Sequence, residues 1–174
     1  MKINFNIKTG INSVYKILDF LSSETYKSPL VIIDKNLEKN SKHIKNFINK
    51  LDKKTKLLKI YYDYTFEPTY KYLEKLSKKI KLKNHYKEID IIIAIGGGST
   101  IDTGKGISIL LKNKGNPTKF MGFPKKIKKP IPLIAVPSTT GTGSEVAFNA
   151  SFVDSNKKIK MGINSPDNFP VLSI

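Results

Sequence analysis

The hydrophobic residues of this chain come in short blocks, separated by amphipathic stretches and by two glycine-rich breaks. Continuous apolar runs of this length are typical of parallel strands that are covered on both faces. Four blocks predict such strands, at residues 29–34, 56–62, 90–95 and 131–136. Two further blocks, at residues 147–153 and 158–163, are joined by Asp-Ser-Asn at 154–156 and predict a hairpin.

Stretches with apolar residues at helical spacing lie between these strands. They predict a helix over residues 35–51, a second that opens at Pro68, and a third over about 100–111. Strands that alternate with helices predict an α/β fold. We expect a Rossmann-like, mostly parallel sheet with helices on both faces and the hairpin as an antiparallel addition. Neither an internal repeat nor a long linker interrupts the 174 residues, so one domain is expected.

Composition narrows the classes of function. Hydrophobic residues make up 39% of the chain, which is enough for a core, and cysteine is absent, which excludes disulfides, thiolate metal sites and cysteine nucleophiles. Only two histidines are present, His43 and His85, so one copy cannot supply a three-histidine metal site. The apolar runs are far shorter than the ~20 residues of a membrane span. Because the N-terminus also lacks the apolar core of a signal peptide, we expect a cytoplasmic protein without membrane contact.

The net charge is +17, and lysine supplies all of the positive charge because arginine is absent. Recognition of bases and phosphates relies on the planar fork of arginine, so a nucleic-acid partner is disfavoured and a solvated lysine surface is the simpler explanation. The charge is uneven, because residues 103–144 hold eight lysines and no acid. This stretch is expected to carry a positive potential beside the glycine-rich breaks.

The first break, Gly-Gly-Gly-Ser at residues 96–99, stands between a predicted strand and a predicted helix. Ligands of open α/β sheets bind beyond the carboxyl ends of the strands, and a helix N-terminus that begins with glycines suits a phosphate. Ser99 is expected to cap this helix, with Asp102 as its reciprocal partner and Lys105 on the same face. Gly104 and Gly106 weaken the helix, which indicates close packing or the approach of a ligand. A tight turn without a ligand is the alternative.

The second break, residues 137–145, reads Pro-Ser-Thr-Thr-Gly-Thr-Gly-Ser-Glu and offers many hydroxyl donors to an oxygen-rich ligand, although it could also be a plain polar turn. Two standard phosphate motifs are absent. A Walker loop needs Ser or Thr where Gly106 stands. The Rossmann fingerprint needs Gly or Ala where Ile101 stands, and an acid about 20 residues on. A dinucleotide must therefore be held in another way.

Taken together, residues 96–105 and 134–146 resemble the GGGSxxDxxK and PTTxGTGSEV motifs of the iron-containing (group III) alcohol dehydrogenases, in the same order and at the same separation. The resemblance covers nearly the whole chain and is to the N-terminal dinucleotide-binding domain of that family, here residues 1–174. It implies NAD-dependent oxidation of a small alcohol, or reduction of an aldehyde, in the full-length oxidoreductase.

The resemblance also implies a set of residues that bind the cofactor, matched by position: Asp34, Gly97, Gly98, Ser99, Ser138, Thr139, Thr142 and Lys160. The glycines and Ser99 would hold the pyrophosphate, and the hydroxyls of the second break would line the nicotinamide side, with Lys160 near the nicotinamide ribose. Asp34 would accept hydrogen bonds from the adenosine ribose and repel a 2′-phosphate, which favours NAD over NADP. Alternatively, Asp34 could cap the next helix and Lys160 could be one more surface lysine.

The chain also departs from the family pattern. Residues 67–69 read Glu-Pro-Thr where the family often has Asn-Pro-Thr, and Gly104 and Ser138 replace alanine and threonine. The family's metal ligands, one aspartate and three histidines, belong to a helical C-terminal domain that lies outside residues 1–174. The resemblance therefore implies a divalent metal, Fe or Zn, only in the full-length protein, and no turnover by this chain alone. A stand-alone nucleotide-binding or regulatory module, and a homo-oligomer, remain open at this stage.

Overall fold

The computed structural model describes residues 6–63 and 67–174. The helices of this part of the chain are Lys16–Ser23 (α1), Lys35–Asn40 (α2), Lys42–Lys54 (α3), Tyr70–Lys81 (α4) and Gly98–Lys112 (α5). Its strands are Pro29–Asp34 (β1), Leu58–Tyr62 (β2), Ile91–Gly96 (β3), Leu133–Pro137 (β4), Asn149–Asp154 (β5), Ile159–Asn164 (β6) and Leu172–Ser173 (β7). The first five residues, which predict no signal peptide, lie outside the described residues.

Five of these strands form one parallel sheet in the order β2-β1-β3-β4-β7. In register, Ile95 of β3 lies between Ile33 of β1 and Val136 of β4, so these three strands end at the same edge. The hairpin β5-β6 is an antiparallel sheet of its own. The predicted α/β fold, with a mostly parallel sheet and an added hairpin, is confirmed.

The central strand β3 has a hydrophobic core on each side. Ile91, Ile93 and Ile95 pack with residues of α1 and α3 on one face of the sheet. Ile92 and Ala94 pack with residues of α4, α5 and the hairpin on the other face. All five side chains are 0% exposed, which explains the unbroken apolar run. The prediction of helices on both faces is therefore confirmed.

The two glycines within α5 are explained by close packing. A Cβ at Gly104 would lie 2.9 Å from the Ala94 Cβ, and one at Gly106 would lie 2.8 Å from the Leu73 Cδ2 and the Phe152 Cζ. Such contacts are closer than real Cβ atoms show, so α5 sits nearer to the sheet, to α4 and to β5 than a larger residue permits. Of the two explanations for these glycines, close packing and the approach of a ligand, the structure supports close packing.

Two predicted helices differ in their bounds. The helix predicted over 35–51 is divided at Ser41, whose backbone is extended and whose Oγ accepts from the Ile44 N–H at 3.3 Å, because serine is a favourable N-cap. The helix predicted to open at Pro68 begins at Tyr70, capped by Thr69. The Pro68 carbonyl accepts instead from the Val153 N–H at 3.0 Å, which ties this segment to the hairpin.

Two described elements, α1 and β7, have no counterpart among the sequence-based predictions. β7 has only two residues, and its pairing with β4 extends the sheet beyond the pattern that a sequence window can detect. Within the described residues, no helix combines the length and the apolar character needed to cross a membrane.

Candidate functional site

The two glycine-rich breaks meet at the edge of the sheet where β1, β3 and β4 end. Gly96, the last residue of β3, pairs with Pro137 of β4, and the Ser138 N–H donates to the Gly96 carbonyl at 2.9 Å. Asp34 ends β1 directly beside β3. The structure therefore brings the first break, the second break and Asp34 to one edge, which is where open α/β sheets bind their ligands.

Gly97 and Gly98 form the floor of this edge, against the second break. A Cβ at Gly97 would lie 3.3 Å from the Thr139 Oγ1, and a Cβ at Gly98 would lie 3.0 Å from the Thr142 Cβ. A Cβ at either position would be closer to these threonines than Cβ atoms usually are, so a neighbour would have to shift by a few tenths of an ångström. We call residues 138–144 the hydroxyl loop, because it is rich in Ser and Thr and because Thr139, Thr142 and Ser144 lie against the two glycines. Ser138, Thr139 and Thr142 are exposed, so their hydroxyls are available to a ligand.

Gly96 has a φ of +156° and turns the chain from β3 into α5. A Cβ at this position would lie 2.6 Å from the Thr100 Oγ1. We expect Gly96→Ala to lower the free energy of unfolding by about 1–3 kcal/mol, because strain and a steric clash coincide. Urea unfolding checks this. Gly10→Ala is the matched control, since Gly10 has a φ of +112° but no atom within 4 Å of its Cβ position. Equal losses at both positions would rule out the clash.

Helix α5 begins one residue before Ser99, with Gly97 at the N-cap position, and it has no side-chain cap. The predicted capping pair of Ser99 and Asp102 is therefore wrong. The Oδ2 atom of Asp102 accepts from the Ser151 N–H at 2.9 Å instead, because β5 lies against that face of α5. The N–H groups of Thr100 and Ile101 donate to the Gly97 carbonyl at 3.0 and 3.1 Å. The N–H groups before them, at the very start of the helix, precede any intrahelical acceptor, and with the helix dipole they suit an anion such as a phosphate.

Asp34 is half-buried and serves as the N-cap of α2. Its Oδ1 atom accepts from the N–H groups of Asn36 at 2.8 Å and Leu37 at 3.1 Å. The capping role, one of the two alternatives for Asp34, is thus observed. The cap uses only Oδ1 and fixes the carboxylate at the edge of the sheet. A role toward the ribose hydroxyls is compatible with this geometry and stays a prediction.

Lys160 is on β6 and forms an ion pair with Glu67, and both side chains are about half exposed. Glu67 is the acid that stands where the family often has asparagine. Sequence reasoning missed this pair, because 93 residues separate its members. Exposed ion pairs of this kind contribute little to stability, so Lys160 remains able to exchange its partner for a ligand.

Lys105 is the one fully buried residue among the eight lysines of the acid-free stretch, and the other seven are exposed. Its Nζ atom donates to three backbone carbonyls, those of Ser144, Ala147 and Asn149. Burial lowers the pKa of Lys105 to about 8, although the charges of Asp102 and Glu145 oppose this shift. Burial likewise raises the pKa of Asp102, against the bond from Ser151 and the charge of Lys105. The helical spacing predicted that Lys105 and Asp102 share a face, but not that Lys105 is fully buried and Asp102 half-buried.

The described residues do not fit a metal ion. Among residues 6–63 and 67–174, His, Asp and Glu side chains form no group of three or more that could hold one. His43 and His85 are both exposed. The site at the sheet edge instead offers glycine backbone, hydroxyls, one carboxylate and one lysine, a set of groups that suits an oxygen-rich, phosphate-bearing ligand.

Comparison with known proteins agrees with this geometry. The family model of iron-containing alcohol dehydrogenases matches residues 5–174. The chain belongs to this family. The resemblance carried by the two glycine-rich motifs is thereby confirmed, and with it the association with oxidoreductases.

Individual members of the iron-containing alcohol dehydrogenase family match at moderate identity. Alcohol dehydrogenase 4 of Schizosaccharomyces pombe is 39% identical over 85 residues, which are 49% of this chain and 20% of that protein. The NAD-dependent methanol dehydrogenase of Bacillus methanolicus is 35% identical over 85 residues, 49% of this chain and 22% of that protein. The solved structure of an alcohol dehydrogenase from Oenococcus oeni has a TM-score of 0.82 at 29% identity, over 97% of this chain and 43% of that one. The matched part takes in less than half of each relative.

Proposed function

We propose that residues 1–174 are the dinucleotide-binding domain of an iron-containing alcohol dehydrogenase, and that NAD binds across the edge formed by β1, β3 and β4. The observation that carries this proposal is the meeting of the two glycine-rich segments, Gly97 and Gly98 lying against Thr139 and Thr142. A backbone floor at a helix N-terminus with hydroxyls above it is a suitable cradle for a pyrophosphate.

The remaining predicted residues have roles along the same edge. Gly97, Gly98 and Ser99 would donate backbone N–H groups to the pyrophosphate. Asp34 would accept from the adenosine ribose with the oxygen that does not cap α2. The hydroxyls of Ser138, Thr139 and Thr142 would contact the cofactor toward the nicotinamide, and Lys160 would reach the nicotinamide ribose after releasing Glu67.

The reaction of the whole enzyme would be transfer of a hydride between the carbon of a small alcohol and NAD, or the reverse transfer to an aldehyde. The metal of the complete enzyme, held outside the described residues, would polarise the substrate oxygen. The task of this chain is to bind and orient the cofactor, so the chain alone is expected to bind NADH without turning over alcohol. The NAD-dependent methanol dehydrogenase among its relatives supports the choice of cofactor.

Titration of the purified chain with NADH and NADPH, followed by nicotinamide fluorescence, tests the proposal. We expect NADH to bind more tightly than NADPH, because the Asp34 carboxylate repels a 2′-phosphate. Asp34→Asn is expected to narrow the ratio of the two affinities by about tenfold, since it removes the charge and asparagine caps a helix as well as aspartate does. Asp34→Ala should weaken NADH binding further, because it also removes the cap. Failure of the chain to bind either nucleotide would refute the proposal.

A further inference from the structure

We propose that Lys105 and Asp102 are positioning residues, which hold the backbone of residues 144–151 on α5 and thereby fix the hydroxyl loop over Gly97 and Gly98. The inference rests on the proposed function for its effect on the cofactor. It concerns a buried lysine and a half-buried aspartate for which the binding scheme above has no use.

The contacts of Lys105 converge on one short segment. Its ammonium donates to the carbonyls of Ser144 at 2.6 Å, Ala147 at 2.8 Å and Asn149 at 3.0 Å. An ammonium has three N–H donors, so all of them are used. Lys105 therefore has no donor left for a phosphate, although it stands in the helix that begins at the proposed cradle. Any effect of Lys105 on a bound ligand must therefore act through residues 144–149, whose carbonyls it contacts.

Asp102 holds the same segment from one turn earlier in α5. Its Oδ2 atom accepts from the Ser151 N–H at 2.9 Å, while its Oδ1 atom is buried without a hydrogen-bond partner. An unpaired buried carboxylate oxygen is costly, and the charge of Lys105 offsets part of that cost. The two residues therefore act as a unit, one contacting carbonyls and the other an N–H group of the same segment.

The first part of the held segment has little regular structure. Residues 144–148 are the short 3-10 helix Ser144–Val146 and the irregular chain that leads into β5, whereas Asn149 and Ser151 lie in β5 itself. The Glu145 carbonyl also accepts from the Ser173 Oγ at 2.6 Å, so Lys105 and Asp102 share the task of holding this part with β7. The three carbonyls are part-buried, and a carbonyl shielded from water that loses its donor costs about 1–3 kcal/mol. Without the ammonium we therefore expect this part of the chain to move away from α5 toward water. Since 39 to 44 residues separate Lys105 from its three acceptors, the tie is tertiary and not local.

A short chain of contacts connects Lys105 to the proposed cradle. The Ser144 carbonyl accepts from Lys105, and the Ser144 N–H donates to the Thr142 Oγ1 at 3.4 Å. Thr142 in turn lies against Gly98. Ser144 therefore connects the buried ammonium of Lys105 to the exposed hydroxyl of Thr142. Releasing the Ser144 carbonyl would free the hydroxyl loop to move away from the glycines.

Spin labelling tests the proposal directly, because the chain has no cysteine and Thr140→Cys creates a single labelling site on the exposed hydroxyl loop. We expect Lys105→Met, and to a smaller extent Asp102→Ala, to increase the mobility of the label. In unlabelled protein we expect Lys105→Met to weaken NADH binding by about tenfold or more, since the donors are no longer preorganised. Phe47→Leu is the control, because Phe47 is fully buried in the hydrophobic core on the opposite face of the sheet from α5.

The outcomes separate this inference from the proposed function. Increased label mobility together with weaker NADH binding in Lys105→Met, and no change in either for Phe47→Leu at a similar loss of thermal stability, supports both. Increased mobility in a chain whose unsubstituted form binds no NADH supports the positioning role and refutes the proposed function. An unchanged spectrum in folded Lys105→Met overturns the inference. If that variant does not fold, an unchanged spectrum in Asp102→Ala overturns it.

Discussion

Phe152→Ala is expected to lower the free energy of unfolding by about 3–5 kcal/mol, the usual cost of removing a fully buried aromatic side chain. Phe152 is 0% exposed, and its ring centroid lies 5.4 Å from that of Tyr70. It also fills the space beside Gly106, where no Cβ is present. Because it joins the hairpin to α4 and α5, truncation leaves a cavity that three elements would have to close.

Chemical denaturation followed by circular dichroism measures this effect. Phe123→Ala is the matched control, because Phe123 is 71% exposed and its truncation should change the free energy of unfolding by less than about 0.5 kcal/mol. Small domains are stable by only about 5–15 kcal/mol, so Phe152→Ala removes a large part of the total. A loss below about 1 kcal/mol would mean that the hairpin is not part of the cooperative core.

The second large effect is a dependence of stability on pH that comes from Lys105. Its pKa is about 8 in the folded protein, against an ordinary value of 10.5. Between these two values the unfolded chain binds a proton that the folded chain does not bind. The contribution of Lys105 therefore makes the protein more stable as the pH rises through this window, by roughly 3 kcal/mol in total. Below the folded-state pKa both states are protonated, and the contribution no longer changes.

Unfolding free energies of the unsubstituted chain and of Lys105→Met, measured over the same pH range, isolate this contribution, because the two proteins share all other titrating groups. Tyr70, whose pKa is raised to about 12, destabilises the fold as the pH exceeds its ordinary value of 10.0, but it does so in both proteins. We expect the difference in unfolding free energy between the two proteins to shift in favour of the unsubstituted chain between about pH 8 and 10.5. Parallel pH profiles would show that the ammonium of Lys105 is not buried in solution.

The cost of burying Lys105 bears on its role. A lysine placed inside a protein at such a penalty contributes little net stability, and well-packed apolar groups often replace buried charges without loss. The ammonium of Lys105 instead orients the backbone, because it donates hydrogen bonds to three carbonyls and an apolar side chain has no donor. Lys105→Met therefore separates stability from positioning, since the free energy of unfolding and the mobility of the hydroxyl loop need not change together.

The sequence by itself determined four of the five strands of the parallel sheet and the position of the candidate site. The unbroken apolar run of β3 predicted a strand with both faces covered, since only a strand between two helical layers excludes water from every side chain. The glycines at 96–98 and the hydroxyls at 138–142 follow two such strands, and parallel neighbours end at the same edge. Local patterns sufficed here because burial and turn geometry are encoded over a few residues.

The tertiary structure alone decided how the residues around that edge are used. Asp102 bonds to Ser151 instead of capping α5, and Lys160 pairs with Glu67 from a distant part of the chain. Lys105 looks like any other lysine of a basic chain, yet its partners lie about 40 residues away. No periodicity reports such contacts, because they depend on where the hairpin folds back over α5. The sequence therefore predicted where a ligand should bind, and the packing of the hairpin decided which partners Asp102, Lys105 and Lys160 have.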